Sequence, residues 1–266
     1  MTDWGTHLAT MRQTAPLVQN ITNYVAMNVM ANVLLAAGAS PAMVHAEEEV
    51  AEFAGFTQGL TVNIGTLSGP WVRGMLAAAE VASQRGLPWV LDPVAAGATG
   101  LRRETSAALV ARKPAVIRGN ASEILALAGA AGAGKGVDAG DPVALAEAAG
   151  RKLAQDSGAV VAVTGPVDFV TDGHRACRIA NGHPMMPRVT ALGCSLTGVV
   201  GAFVVGQPRF EATVAALAYY GLAGQRAAAQ ASTQPVGPGS FAVAFLDALH
   251  ALTPDEVSTG ARVSEA

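Results

Sequence analysis

Short runs of β-forming apolar residues alternate with longer alanine-rich segments through most of this chain, and this rhythm limits the fold more than any other feature. The runs lie at residues 42–44, 60–64, 89–92, 115–118 and 160–164. Runs that are apolar throughout predict strands buried on both faces, and the segments between them predict helical crossovers. The sequence therefore predicts a mostly parallel central sheet with helices on both faces, an α/β fold.

The second half of the chain changes pattern. Residues 168–171 and 176–179 flank the pair Asp172-Gly173, which predicts an antiparallel hairpin at one edge of the sheet. Helical patterns follow at 194–206, 210–231 and 239–252. No linker rich in proline, serine or charge divides the 266 residues, so we expect a single domain over 1–266, with tails at about 1–13 and 254–266.

Composition narrows the possible partners. The net charge is −3 and the basic residues are scattered, which argues against nucleic-acid binding and favours a small-molecule substrate. Hydrophobic residues make up 51% of the chain and charged residues 14%, so we expect an oligomer that buries apolar surface. The apolar runs are about half the ~20 residues needed to cross a bilayer, and no secretory signal precedes them. We expect no membrane partner, a cytoplasmic location and free thiols at Cys177 and Cys194.

The segment at 190–198, Thr-Ala-Leu-Gly-Cys-Ser-Leu-Thr-Gly, opens an apolar helix. Free N–H groups and the positive end of the helix dipole make such a start an anion site. We expect Gly193 and Gly198 to let a phosphate or another backbone approach closely. We expect the dipole to lower the pKa of Cys194, which would make it a modest base or polar anchor. The alternative is that Cys194 is a small buried apolar residue.

Polar residues follow the predicted strands at the edge where parallel sheets bind ligands. Asp92 ends one strand, and Asn120 precedes a helix with Glu123 at its third position. These two carboxylates suit Mg²⁺, although Asn120 and Glu123 also fit a simple capping box. Arg118 at a strand end suits bidentate phosphate binding, and Thr164 closes the next strand.

Two further segments have alternative interpretations. The glycine-rich stretch at 129–136 resembles a P-loop, but Gly136 stands where Ser or Thr is required, so we expect a flexible loop in which Lys135 is solvated. Near the start, Asn23 is either a helix cap or a hydrogen-bond partner for a heterocycle. In the second case Met43 would provide an adaptable apolar wall.

Taken together, six motifs resemble the hydroxyethylthiazole kinase family from about residue 16 to 250. They are Gln-Asn-Ile-Thr-Asn-Tyr-Val-Ala-Met-Asn at 19–28, Ser-Pro-Ala-Met at 40–43, Leu-Asp-Pro-Val-Ala-Ala-Gly-Ala-Thr at 91–99, Arg-Gly-Asn-Ala-Ser-Glu-Ile at 118–124, Gly-Val-Asp at 136–138 and Gly-Pro-Gly-Ser-Phe at 237–241. The resemblance implies a three-layer ribokinase-like fold. It also implies ATP- and Mg²⁺-dependent phosphorylation of 4-methyl-5-(2-hydroxyethyl)thiazole in thiamine biosynthesis or salvage, by a homotrimer with sites between subunits.

The resemblance also implies roles for individual residues. Cys194 is implied as the active-site cysteine, at a position where related kinases carry aspartate. The other implied roles are substrate binding by Asn23, Met43, Ala191 and Gly193, ATP binding by Arg118, Asn120 and Thr164, and metal binding by Asp92 and Glu123. This chain differs from the family at Ala191-Leu192, because the family usually has glycine at the position of Ala191. We expect the Cβ of Ala191 to narrow the substrate space and to favour a negative φ.

Three other functions remain open at this point. A hydroxymethylpyrimidine kinase and a nucleotide-dependent dehydratase of hydrated NAD(P)H use the same kind of fold. The third is a thiazole or nucleotide sensor that has lost turnover.

Overall fold

The computed structural model describes residues 3–129, 142–230 and 237–266. The predicted glycine-rich loop, including Lys135, lies outside these residues for nearly all of its length.

Nine strands form one sheet in the described part of the chain, in the spatial order β2-β1-β3-β4-β5-β6-β7-β8-β9. They are β1 (Leu17–Ile21), β2 (Ser40–Ala42), β3 (Gly59–Asn63), β4 (Trp89–Asp92), β5 (Val116–Asn120), β6 (Val160–Thr164), β7 (Asp168–Thr171), β8 (Ala176–Ile179) and β9 (Val263–Glu265). The first six pair in parallel and the last three join antiparallel. The predicted mostly parallel sheet and the hairpin are confirmed.

Strand β1 was not predicted, because polar residues interrupt its apolar pattern. Gln19 and Asn20 are fully buried in it. The amide of Gln19 donates to the carbonyls of Val44 and Val50, and the Oδ1 of Asn20 accepts from the Thr61 hydroxyl at 2.7 Å. These bonds satisfy Asn20 and the amide nitrogen of Gln19, which lets polar side chains occupy a central strand, while the Oε1 atom of Gln19 has no partner in the described structure.

The helices cover both faces of the sheet. They are α1 (Trp4–Thr14), α2 (Met27–Ala37), α3 (Val50–Ala54), α4 (Gly69–Gln84), α5 (Gly100–Val110), α6 (Ala121–Leu127), α7 (Pro142–Ser157), α8 (Leu192–Phe203), α9 (Arg209–Gln230), α10 (Pro238–Ala251) and α11 (Pro254–Gly260). The two segments that we expected to be tails contain regular structure, namely α1, α11 and β9. Helix α1 packs against α11 and α9. Among the described helices, none is both long and apolar enough to span a membrane.

Two hydrophobic cores lie on opposite faces of the sheet. Val90 and Val116 belong to the core that α2, α8, α9 and α10 cover, whereas Leu91 and Ile117 belong to the core under α4 to α7. Successive residues of a strand point to opposite faces, which explains why neighbours in sequence enter different cores. The result is the three-layer arrangement that the resemblance implies.

Helix α8 lies close to the sheet and to α2 through glycines. A Cβ on Gly198 would lie 3.1 Å from Met30 and 3.2 Å from Leu34, both in α2. Of the two alternatives for Gly198, a phosphate or another chain segment, the structure shows the second, since this residue allows α8 and α2 to pack. A Cβ on Gly201 would lie 2.5 Å from the Cγ2 atom of Thr61. Gly201 thus brings α8 against β3 and fixes where its N-terminus lies.

We expect Gly201→Ala to lower the free energy of unfolding by about 1–3 kcal/mol, the usual cost of overpacking a core. Urea unfolding followed by circular dichroism measures the change. Gly100→Ala is the control, because its Cβ would meet nothing closer than 3.9 Å. Equal stability of the two variants would contradict close packing of α8 on β3.

Candidate active site

A buried carboxylate lies at the centre of the site. Asp92 ends β4 beside Asn63, the last residue of β3, and its side chain is 1% exposed. The Asn63 amide and the Thr197 hydroxyl both donate to its Oδ2 atom, at 2.6 and 2.9 Å. Burial raises the pKa of Asp92 to about 6, and the charge of Glu123 acts in the same direction while Arg118 opposes it. The carboxylate is therefore ionised only above mildly acidic pH.

A chain of amides links this carboxylate to Cys194. The amide nitrogen of Asn23 donates to the Oδ1 of Asn63 at 2.9 Å and to the Sγ of Cys194 at 3.3 Å. Its own Oδ1 accepts from the Ala26 N–H at 3.0 Å, which orients the amide. The N-cap of α2 is Ala26, which has no side-chain cap, so Asn23 is not the predicted helix cap; its side chain instead closes the turn before α2 and contacts Asn63 and Cys194.

Cys194 lies in the first turn of α8, as expected, but its ionisation differs from the expectation. Burial raises the pKa of the Cys194 thiol, and the charge of Asp92 raises it further. These effects outweigh the helix dipole, so the prediction of a lowered pKa was wrong. Cys194 is a neutral thiol that accepts a hydrogen bond from Asn23.

Arg118 contacts α8, β6 and β4 at the edge of the sheet where the parallel strands end. Its Nη1 donates to the Gly193 carbonyl at 3.0 Å, and its Nη2 donates to the Thr164 hydroxyl at 2.8 Å. Nη1 also lies 3.7 Å from the Oδ2 of Asp92. A guanidinium has five N–H donors, so these contacts hold Arg118 in place and leave donors for an anion.

Asn120 and Glu123 form the predicted capping box at the start of α6. The Oε2 of Glu123 accepts from the Asn120 N–H at 2.8 Å, and its Oε1 accepts from the Ala95 N–H at 3.0 Å. Glu123 therefore holds the loop after Asp92 close to α6. Each carboxylate oxygen keeps a free lone pair, so the capping role does not exclude a metal.

The donor set fits Mg²⁺. The Oδ1 atom of Asp92 is buried and has no hydrogen-bond partner in the described structure. A buried acceptor without a donor is costly unless a cation or water meets it. Mg²⁺ is commonly held by one or two carboxylates together with substrate phosphates.

Helix α8 begins with a residue in an unfavourable backbone conformation. Ala191 occupies the N-cap position with φ 65° and ψ −1°, which is left-handed. The expectation that alanine favours a negative φ here was therefore wrong. The Ala191 carbonyl accepts from both the N–H and the hydroxyl of Ser195, each at 2.8 Å. These bonds hold the turn in the shape that a glycine adopts without strain.

A cavity of about 810 Å³ opens beside Arg118. Arg118, Asn120, Thr164 and Gly193 lie at one end. Among the apolar side chains that line the cavity are Met186, Leu196, Leu217 and Tyr220. Ala191 and Asp168 also line it. A charged end and an apolar wall suit a ligand with an anionic part and a flat apolar part.

Of the residues predicted as functional, Met43 alone stands apart. It follows the edge strand β2, is half-buried and packs against the larger core. In the part of the chain that the structure describes, Met43 neither lines the cavity nor contacts the group around Asp92.

The sequence analysis gave no role to three site residues. Asn63 lies near the end of a predicted strand, at the same edge as Asp92, and Thr197 lies one helical turn after Cys194, so both carried a positional signal. Asp168 had no such positional signal, because the sequence analysis treated residues 168–171 only as a strand of the predicted hairpin.

Comparisons with known proteins identify one family over nearly the whole chain. The family model described as "Hydroxyethylthiazole kinase family" matches residues 8–255. A protein named hydroxyethylthiazole kinase from Cereibacter sphaeroides is 68% identical over 262 residues, covering 98% of each chain. The structure of a hydroxyethylthiazole kinase protein from Pyrococcus horikoshii has a TM-score of 0.91 at 40% identity, covering 100% of both chains. A ribokinase-like superfamily protein from Enterococcus faecalis has a TM-score of 0.61 at 13% identity, over 90% of this chain and 88% of that one, which shows the ribokinase-like fold alone.

The strain at Ala191 is measurable. A left-handed alanine costs roughly 1–2 kcal/mol, and glycine removes that cost while adding freedom to the unfolded chain. We expect Ala191→Gly to raise the free energy of unfolding by about 0.5–1 kcal/mol in urea unfolding. Ala107→Gly, at an exposed position inside α5, should lower it by about 1 kcal/mol. A loss of stability at both positions would show that Ala191 is unstrained.

Proposed function

Because the chain belongs to the hydroxyethylthiazole kinase family, we propose that this site transfers the γ-phosphoryl group of ATP to 4-methyl-5-(2-hydroxyethyl)thiazole. The enzyme is a phosphotransferase, and thiazole phosphate is an intermediate for thiamine biosynthesis or salvage. The observation that carries the proposal is the convergence of Asp92, Arg118 and Cys194 at the N-terminus of α8.

The phosphates of ATP bind at the charged end of the cavity. The Thr164 hydroxyl accepts from Arg118 and donates to the Gly119 carbonyl, so Thr164 holds the Arg118 guanidinium in place to donate to a phosphate. The free N–H groups at Gly193 and Cys194 add a helix-terminus anion site. Asn120 lines the same end of the cavity.

Asp92 and Glu123 hold Mg²⁺ in this proposal. Asp92 supplies a buried oxygen without another partner, and Glu123 lies near enough for its charge to act on Asp92. A bound Mg²⁺ would neutralise the charge of the transferred phosphate. Asn63 and Thr197 orient Asp92 toward that role through their hydrogen bonds.

The alcohol lies next to Cys194. Phosphoryl transfer depends on alignment and charge stabilisation more than on a strong base. A neutral thiol, fixed by Asn23, therefore suffices to orient the hydroxyl of the substrate. Ala191 and Gly193 bound the space beside it.

Met43 reaches the substrate across a subunit boundary in this proposal, and the protein is a homotrimer with sites between subunits. Exposed apolar side chains support such an interface. Tyr24 and Val25 precede α2, Leu35 lies on it, and Val243 lies on α10, which packs against α2; each is at least 59% exposed. Light scattering coupled to gel filtration measures the assembly. We also propose a single kinase domain over 1–266 and a cytoplasmic location.

The direct test is to incubate the purified protein with ATP, Mg²⁺ and hydroxyethylthiazole and to detect thiazole phosphate by mass spectrometry. We expect product with the unmodified chain. Asp92→Asn retains an oxygen for Asn63 and Thr197 but loses the charge, so we expect its kcat to fall by about 100-fold or more while it stays folded. Product from hydroxymethylpyrimidine alone would favour the pyrimidine kinase. Nucleotide binding without any product would favour a sensor.

The role of Cys194 makes a sharper prediction. Cys194→Asp should keep or raise kcat, because a carboxylate orients the alcohol and accepts its proton more readily than a neutral thiol. Cys194→Ala should lower kcat by about tenfold or more. Cys177→Ala, in β8, is the matched control and should behave as the unmodified enzyme. If Cys194→Ala also matches the unmodified enzyme, the thiol has no part in the reaction.

A further inference from the structure

Asp168 places a carboxylate inside the cavity at the end assigned to the phosphates. It is the first residue of β7, at the turn end of the β6–β7 hairpin, close to Thr164. The Oδ1 atom accepts from the Gly165 N–H at 2.9 Å, which closes the turn between the two strands and orients the carboxylate. Asp168 lines the cavity together with Arg118 and Thr164.

This carboxylate is charged at neutral pH. Burial raises the pKa of Asp168 to about 6, while the Gly165 N–H and Arg118 act in the opposite direction. An anion here repels the phosphate chain, because two like charges in a partly buried site interact strongly. Asp168 therefore suits a different part of the ligand, one that donates hydrogen bonds.

The rest of the cavity wall offers few free polar side chains. Asn181 donates to Gln225 and to the Gly260 carbonyl, and accepts from the Arg262 N–H. Among the cavity-lining residues that the structure describes, Asp168 is the single carboxylate, and its Oδ2 atom has no recorded protein partner.

In a nucleoside triphosphate, the neutral donors nearest the phosphate chain are the 2′- and 3′-hydroxyl groups of the ribose. A carboxylate oxygen accepts such hydrogen bonds strongly. We propose that Asp168 binds the ribose hydroxyls of the nucleotide and makes the enzyme select ribonucleotides over deoxyribonucleotides. This inference rests on the proposed function, because that function assigns the nucleotide to this cavity.

The test compares ATP, 2′-deoxyATP and 3′-deoxyATP, each with Mg²⁺. Isothermal titration without thiazole gives Kd, and turnover with thiazole gives kcat/KM. For the unmodified enzyme we expect a loss of about tenfold or more in Kd and kcat/KM for at least one deoxy nucleotide, as for a hydrogen bond to a charged group. Asp168→Ala should weaken the binding of ATP by a similar factor and remove the discrimination between ATP and the deoxy nucleotides.

Two controls separate recognition from structure. Asp168→Asn keeps an oxygen for the Gly165 N–H but loses the charge, so we expect a folded enzyme with reduced discrimination. Asp247→Asn, at an exposed position of α10, should leave every value unchanged.

Two outcomes overturn the proposal. One is equal affinity of the unmodified enzyme for all three nucleotides. The other is an Asp168→Ala variant that loses affinity for all three nucleotides by the same factor and still discriminates between them. That result would show that Asp168 only stabilises the turn at Gly165. Failure of the proposed function is visible separately, as nucleotide binding without thiazole phosphate.

Discussion

The contact between the Asp92 carboxylate and the Arg118 guanidinium holds the site together. Burying a carboxylate costs free energy, and here an amide from β3, a hydroxyl from α8 and a guanidinium from β5 offset part of that cost. Each of these elements must take its observed position for the Oδ2 atom of Asp92 to be satisfied. The same network extends through Arg118 to Thr164 and through Asn63 to Asn23. One desolvated charge therefore fixes the relative positions of the groups to which we assign the phosphate, the metal and the alcohol by proposal.

Much of the fold was predictable because it follows from hydrophobic periodicity. Strands such as β4 and β6 are apolar throughout, and their ends could be read to the residue. Strand β1 was missed, since the buried amides of Gln19 and Asn20 mimic a loop in sequence. What reveals β1 is the partners of the Gln19 amide nitrogen and of the Asn20 Oδ1 atom, and these come from residues more than twenty positions away. Tertiary hydrogen bonding overrides local propensity at this strand.

Residues of the site were predictable where they end strands or begin helices, as Asp92, Arg118, Asn120 and Cys194 do. Their electrostatic state was not. The helix dipole alone indicates a reactive thiol at Cys194, but desolvation and the neighbouring Asp92 reverse the sign. In the same way, a Cβ at 191 indicates a negative φ, whereas the hydrogen bonds to Ser195 hold Ala191 in the left-handed region. Both effects depend on neighbours in space that a single sequence does not show.

The neutral state of Cys194 has a consequence for the chemical durability of the enzyme. Peroxides and alkylating reagents attack thiolates, and their rates follow the fraction of thiolate and its exposure. Burial and the adjacent carboxylate keep that fraction small at neutral pH. The features that make Cys194 a poor base thus also protect it from oxidation. A buried neutral thiol at this position can persist through oxidative stress without a second thiol to rescue it.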